Sequence, residues 1–217
     1  KALGASRDDE LRTRLPVPAG HLRVEGVSYR YNENSTSVIS NVTLNVSPGQ
    51  VLAIIGEGGS GKSTLARMMV GIEPPSAGRV TLDGVDLTSW PRAHVGPHLG
   101  YVAQDCEIVT GSVAENISRF ELSVAGAQRD SVNRAVIEAA SKCGAHEVFA
   151  AMAKAYDTPV GIDGCLLSSS QRKRIALARA IYGDVRLLVL DDPTSGLDAT
   201  GERALASLIV QLKEQRV

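Results

Sequence analysis

Aromatic residues make up only 4% of this 217-residue chain, and basic residues are not in excess: 23 Lys and Arg against 24 Asp and Glu leave a formal net charge of −1. A nucleic-acid surface needs a cationic footprint and commonly a row of stacking rings, so nucleic acid is excluded as a partner. Cysteine is also sparse. Cys106, Cys143 and Cys165 lie far apart, match no zinc or redox spacing, and suit a reducing setting better than a disulfide framework. No apolar run approaches the roughly 20 residues that span a bilayer. The longest, VLAII and LLVL, are of strand length, and no signal-peptide pattern is visible. What remains is ordinary for a globular domain: 43% hydrophobic and 22% charged residues, in a chain long enough to bury a sizeable core. The text begins at a lysine and stops inside the helical pattern ERALASLIVQLKEQRV, so it reads as a piece of something longer.

Residues 1–20 are polar and end in Pro16, Pro18 and Gly20, the composition of a linker. From His21 onward HLRVEGVSYRY and SVISNVTLNVSPGQ alternate apolar and polar residues, as half-buried strands do. VLAII at 51–55 is continuously apolar, which predicts a strand buried on both faces, and RLLVL at 186–190 predicts a second. STLARMMVGI has helical periodicity, RVTLDGVDL and LGYVAQD read as short strands, and GSVAENISRF and DSVNRAVIEAASKCGAHEVFAAM as helices. The order predicts a parallel α/β core interrupted by a helical insert of roughly 60 residues.

Between VLAII and STLARMM lies GEGGSGKST, residues 56–64, which satisfies G-x-x-x-x-G-K-[ST] with a strand before it and a helix after it. Glycines let successive backbone N–H groups turn toward phosphate oxygens, and the helix start adds a favourable potential for anions. Lys62 can reach the β and γ phosphates and the Ser63 hydroxyl can ligate Mg²⁺. A bare glycine-rich turn would need neither flank. RLLVLDDP places Asp191 and Asp192 at the carboxyl end of an apolar strand, the edge where ligands of open α/β sheets bind. The first acid suits Mg²⁺ and the second can polarise a water. Alone, Asp-Asp-Pro would be a plain strand-ending turn.

LLSSSQRKR at 166–174 sets serines and cations at a helix start. Positive charge there opposes the macrodipole by a few tenths of a kcal/mol per charge, so the run is either an anion site or a solvated cap. Ser168 and Gln171 also fit a capping box.

Taken together these motifs resemble the nucleotide-binding domain of an ABC transporter. Residues 56–64 look like its Walker A motif, so Gly56, Glu57, Gly58, Gly59, Ser60, Gly61, Lys62, Ser63 and Thr64 are implied to cradle the phosphates of ATP. LLVLDDPTSGLD looks like Walker B and the D-loop, with Asp198 the D-loop acid. YVAQD resembles the Q-loop, with Gln104 the γ-phosphate and Mg²⁺ sensor, and VSYRY the A-loop, with Tyr31 stacking on adenine; Tyr31 alone would be an ordinary strand tyrosine. LSSSQ corresponds to the family signature, LSGGQ, whose counterparts Ser168, Ser170 and Gln171 would meet the γ-phosphate held by a partner domain.

The resemblance implies a P-loop NTPase of α/β class: a RecA-like parallel core, an antiparallel β subdomain and an α-helical subdomain inserted at about 106–170. Residues 1–20 become the linker from a transmembrane domain and 21–217 the ATPase domain, which would stop short of the family's switch histidine, beyond Val217. His146 and the other histidines are then structural or solvated. TGSVAENISRF and YDTPVGIDG are similar to exporters. RLPVPAGHLRVEGV and SWPRAHVGPHLGYVAQD further resemble type I secretion exporters of the protease and lipase class. The implied cofactors are ATP and Mg²⁺, with Mg²⁺ on Ser63, Gln104 and Asp191 and catalysis resting on Asp192, Gln104 and Lys62. The implied partners are a second ATPase domain, identical or not, and a transmembrane permease domain in the same parent chain, at the cytoplasmic side of the inner or plasma membrane.

Three positions depart from the family pattern. Asp192 stands where a glutamate is usual, retracting the carboxylate by roughly 1 Å, a displacement that can lower a rate about 10²-fold. Ser169 and Ser170 replace the two signature glycines, where they either crowd a phosphate or add hydroxyl contacts. Ile162 stands where exporters carry a pre-signature glutamate. The cradle itself is intact, so binding with slowed hydrolysis is expected, and a degenerate domain using ATP only as a dimerisation switch is the alternative.

Overall fold

The structure is a computed structural model that describes residues 15–32, 36–124 and 126–217. In chain order it runs β1 (Leu22–Tyr29), β2 (Ile39–Val46), α1 (Lys62–Met69), β3 (Ala77–Leu82), β4 (Val85–Asp86), α2 (Arg92–Val95), β5 (Leu99–Val102), α3 (Val113–Ile117), α4 (Arg129–Lys142), α5 (His146–Ala150), α6 (Ser169–Ala180), β6 (Leu187–Leu190) and α7 (Ala199–Glu214). The antiparallel strands form a sheet in the order β2-β1-β3-β4, and β5 pairs parallel with β6 from Leu99↔Leu187 to Val102↔Leu190. Parallel strands need a crossover, and here it is the helical stretch α3–α6.

Two cores follow from this division. Leu22 and Val24 of β1, alternate residues, and Val27 beyond a register shift in the strand pack with Leu82 of β3 and with Leu65, Met68 and Met69 of α1. The second core is helical: Val132, Val136 and Ala139 of α4, at helical spacing, meet Ile175 and Leu177 of α6 and Leu205 and Leu208 of α7 around Phe149. Phe149 is fully buried, which contributes about 1.5–3 kcal/mol by transfer. All three cysteines are free thiols. Burial pushes the Cys143 thiol up to about 12, so it is a neutral packing group there.

VLAII departs from expectation. Residues 51–55 adopt no strand, and Val51, Leu52, Ile54 and Ile55 are exposed, Ile55 by 92%. A strand is made by its neighbours as much as by its own residues. Among the described residues β6 pairs only with β5, so nothing completes a ladder with 51–55, and its apolar side chains border an open cleft. The linker expectation falls partly on residues 1–14, outside the described ones. Its end is pinned: the main-chain N–H groups of Ala19, Gly20 and His21 donate to the Asp83 carboxylate at 2.6, 3.3 and 3.0 Å.

Several carboxylates sit below their usual range. For Glu25 the main cause is the Arg79 hydrogen bond, for Glu115 the Ser112 N–H in the cap of α3, and for Asp198 the Gly201 N–H in the cap of α7. Folded-state values below the unfolded ones mean that the unfolded chain takes up protons first. The stabilisation is therefore complete above the ordinary carboxylate pKa, about 4, and is lost as pH falls through the depressed folded values. Thermal melts by circular dichroism should show a midpoint steady from neutrality to about pH 5 and falling steeply below about 4. Glu115→Gln, which keeps the capping geometry, should make that fall shallower.

Candidate functional site

The phosphate-type loop is built around Gly61. It sits at φ +89° as the N-cap of α1, and a side chain there would approach Val38 O and Ile39 Cγ1 to 3.0 Å. Glycine is thus required for both conformation and space. No side chain caps α1 and no acid lies in its first turn, so the N–H groups of that helix start have no side-chain partner. Lys62 folds back over the loop, donating to Gly56 O at 2.8 Å and Glu57 O at 2.7 Å, with the Ser60 hydroxyl at 3.5 Å. These neutral partners hold the ammonium in place without neutralising its charge.

A cleft of about 960 Å³ gathers Tyr31, Gly58, Gly59, Gly61, Lys62, Ser63, Thr64, Gln104, Asp191 and Asp192. The A-loop, Walker A, Q-loop and Walker B positions, scattered over the chain, therefore share one space. Its far end is lined by the apolar residues 51–54 and 187–190. Tyr31 is 61% exposed and makes a T-shaped contact with Tyr29, ring centroids 5.3 Å apart. The Tyr29 hydroxyl donates to Glu73 at 2.8 Å, and that bond raises its pKa. The Ser63 hydroxyl, Gln104 amide oxygen and Asp191 carboxylate supply oxygen donors, the set that Mg²⁺ prefers when phosphates and water complete its shell. Asp191 N donates to Val102 O at 2.8 Å, continuing the β5–β6 ladder. Asp192, exposed at the next position, takes φ +46°, unusual for a side chain with a Cβ. Gly56, Glu57 and Ser60 do not line the cleft; they form the outer turn of the loop.

Ser168, Ser170 and Gln171 lie outside this cleft. Ser168 and Gln171 make the expected capping box on α6: Gln171 N donates to Ser168 Oγ at 3.2 Å and Ser168 N to Gln171 Oε1 at 2.8 Å. The Ser170 hydroxyl accepts from Arg174 Nε at 3.4 Å. Both hydroxyls act as acceptors, which leaves their O–H groups free to donate to an anion. Ser169 lies against Gly196, where a Cβ would be 3.5 Å from its own.

Two of the three cations of QRKR overturn the sequence expectation that they face an anion or solvent; Arg172 stays half-buried. Lys173 and Arg174 are each 3% exposed and turned into the protein. Lys173 Nζ donates to Asp192 O at 3.0 Å and Gln104 O at 3.4 Å. Arg174 donates to Gly144 O at 2.9 Å and pairs with Asp198 Oδ1 at 2.7 Å, which also caps α7 through Gly201 N at 2.8 Å. Helical periodicity gave no clear signal, because α6 buries 173 to 178 and 180, on nearly every side, and so has no single apolar stripe. A third residue went unread. Arg119, its pKa lowered by burial, donates to Gly96 O (2.8 Å), Arg179 O (3.1 Å), Leu99 O (3.3 Å) and Ala180 O (3.4 Å), joining the insert to β5 and to the end of α6. Its chain neighbours, Ser118 and Phe120, gave no hint of this.

The family model described as "ABC transporter" matches residues 39–195. The type I secretion system ATP-binding protein PrsD of Rhizobium meliloti is 38% identical over 98% of this chain, which covers 35% of that protein. An ATP-dependent lipid A-core flippase of Chromohalobacter salexigens is 40% identical over 86% of this chain, covering 32% of it. Among solved structures, a bacterial Atm1-family ABC exporter with ATP bound superposes with a TM-score of 0.80 at 28% identity, over 93% of this chain and 34% of that one. The chain thus spans about a third of the length of the curated relatives it matches.

Proposed function

The chain belongs to the ABC transporter family, and from that premise we propose that it is the ATP-binding and ATP-hydrolysing motor of an exporter. The observation that carries the reading is the shared cleft, which gathers a stacking ring, a phosphate cradle with its lysine, and the amide and two acids of the Q-loop and Walker B positions. Tyr31 stacks on the adenine. The loop N–H groups and the start of α1 receive the phosphates, and Lys62 exchanges its hold on Gly56 O and Glu57 O for the β and γ oxygens. Ser63, Gln104 and Asp191 would hold Mg²⁺, which would supply neutralisation of phosphate charge. Asp192 orients the attacking water, with its carboxylate set back by the missing methylene, so hydrolysis is slow.

Ser168, Ser170 and Gln171 then serve the nucleotide of a second ATPase domain, identical or homologous, through the O–H groups that the α6 cap leaves free. Closure of the pair around ATP drives a transmembrane permease domain of the same parent chain at the cytoplasmic face of the membrane. The exposed apolar Val109, Ile162 and Leu166 are available to that contact. Among the described residues, no helix is long and apolar enough to cross a membrane. Protein export of the type I class is the cargo reading favoured by PrsD, although a lipid flippase is about equally similar. A second reading, ATP as a dimerisation switch with no turnover, is favoured by Asp192.

Binding of a fluorescent ATP analogue to the chain, with and without Mg²⁺, tests the reading. Lys62→Ala should weaken ATP roughly tenfold and AMP little, because Lys62 trades two carbonyl bonds for stronger charge-assisted ones to the terminal phosphates. Equal loss for both nucleotides would show that Lys62 does not face the β and γ phosphates.

A further inference from the structure

Lys173 is a buried cation for which the proposed chemistry has no use. Its residue is 3% exposed, and its ammonium is met by two main-chain oxygens, Asp192 O at 3.0 Å and Gln104 O at 3.4 Å. Those oxygens occupy equivalent places. The β5–β6 ladder ends at Val102↔Leu190, and Gln104 and Asp192 each lie two residues beyond that pair. The last cross-strand main-chain bond runs from Asp191 N to Val102 O. Past it the two chains diverge, one into the Q-loop and the other into a left-handed corner at Asp192, φ +46°. A residue with a Cβ keeps that backbone only where its surroundings hold it. An ammonium has three donors on one atom and can tie two carbonyls together where no ladder bond is available.

We propose that Lys173 is a positioning residue: it stands in for the missing rung of the β5–β6 ladder, fixing Gln104 and Asp192 at one spacing and tying both to α6, whose first turn carries the LSSSQ serines. The inference rests on the reading of Gln104 and Asp192 as groups that face the γ-phosphate and its water. The consequence is that a shift of the serine turn carries the amide and the acid with it. Asp192, the shorter acid, depends on this anchor more than a longer side chain would, because it has less reach with which to compensate for a displaced backbone.

The test compares the unaltered protein with Lys173→Met and Lys173→Gln. Amide hydrogen exchange is followed in peptides covering 101–106 and 191–198, and kcat and ATP affinity are measured on the same preparations. In Lys173→Met, exchange should rise about tenfold in both peptides together and stay unchanged in 22–29, since a local anchor and not the global fold is lost. kcat should fall about tenfold with ATP affinity within about twofold, the loss expected when one hydrogen bond to a charged group goes. Lys173→Gln, which keeps a donor without the charge, should recover most of both. Faster exchange in one peptide alone, a rise that extends to 22–29, equal losses in kcat and affinity, or no recovery in Lys173→Gln would each overturn the proposal. If the unaltered protein binds no ATP, it is the motor reading that fails, and the exchange comparison still decides whether Lys173 holds the two loops together.

Discussion

Asp192→Glu is expected to raise ATP turnover about 10²-fold in the intact exporter, with ATP affinity unchanged. The size follows from geometry: one methylene moves a carboxylate by roughly 1 Å, and a misplacement of that order at a reacting water is enough for two decades in rate. The structure leaves room for the change. Asp192 is exposed and lines an open cleft, and its backbone is held through its carbonyl by Lys173, a contact that glutamate retains. Aspartate tolerates φ +46° better than glutamate, so a small loss of stability, below about 1 kcal/mol, should accompany the gain in turnover. Lys62, Ser63 and Asp191 are untouched, which is why binding should not change. Steady-state kcat and KM together with a direct ATP Kd check this. A gain appearing only in KM, or none at all, would mean that the distance of the carboxylate does not limit hydrolysis, and the dimerisation-switch reading would gain accordingly.

Gly100→Ala should destabilise the fold by about 3 kcal/mol, the upper end of what overpacking costs. Gly100 lies in β5 under the end of α6, and a Cβ there would sit 2.2 Å from Ala180 O and 2.7 Å from Leu188 Cδ1. Leu188 can rotate away. The carbonyl cannot, because it is main chain at the last residue of α6 and accepts from Arg119 at 3.4 Å. The helix must therefore retreat from the sheet. Restricting the unfolded chain returns only about 0.4–1 kcal/mol. Urea unfolding should show a lower midpoint with an unchanged slope. Gly96→Ala, at a position with open space around its Cβ, is the control and should stay within about 1 kcal/mol. Equal stability of the two variants would show that the close approach of α6 to β5 is not rigid.

The cradle was legible because its chemistry is local. Turn conformation, helix start and lysine all lie within residues 56–64, and φ +89° at Gly61 follows from the residue type the motif places there. The capping box of Ser168 and Gln171 was legible for the same reason, since its bonds span three residues. VLAII was not. Its apolar run predicted a buried strand, but the segment is exposed and unpaired: a strand needs partners, and pairing lies outside the segment itself. The serines at 169 and 170 posed two outcomes that one dimension could not separate. In the fold Ser169 rests against Gly196 and Ser170 accepts from Arg174, so their neighbours are those of the D-loop and of α6 itself.

By itself the sequence located the glycine turn at 56–64, the helix that follows it and the acids at the end of β6, because those features belong to residue types at fixed local spacing. Only the tertiary structure decided which way the cations of QRKR face. Arginine and lysine at a helix start look alike in the sequence whether they meet water, an anion or a carbonyl. Burial, and the arrival of Gln104, Gly144, Asp192 and Asp198 from distant parts of the chain, turned Lys173 and Arg174 into internal ties. A buried cation must find its partners close at hand, and those partners come together only when the chain has folded.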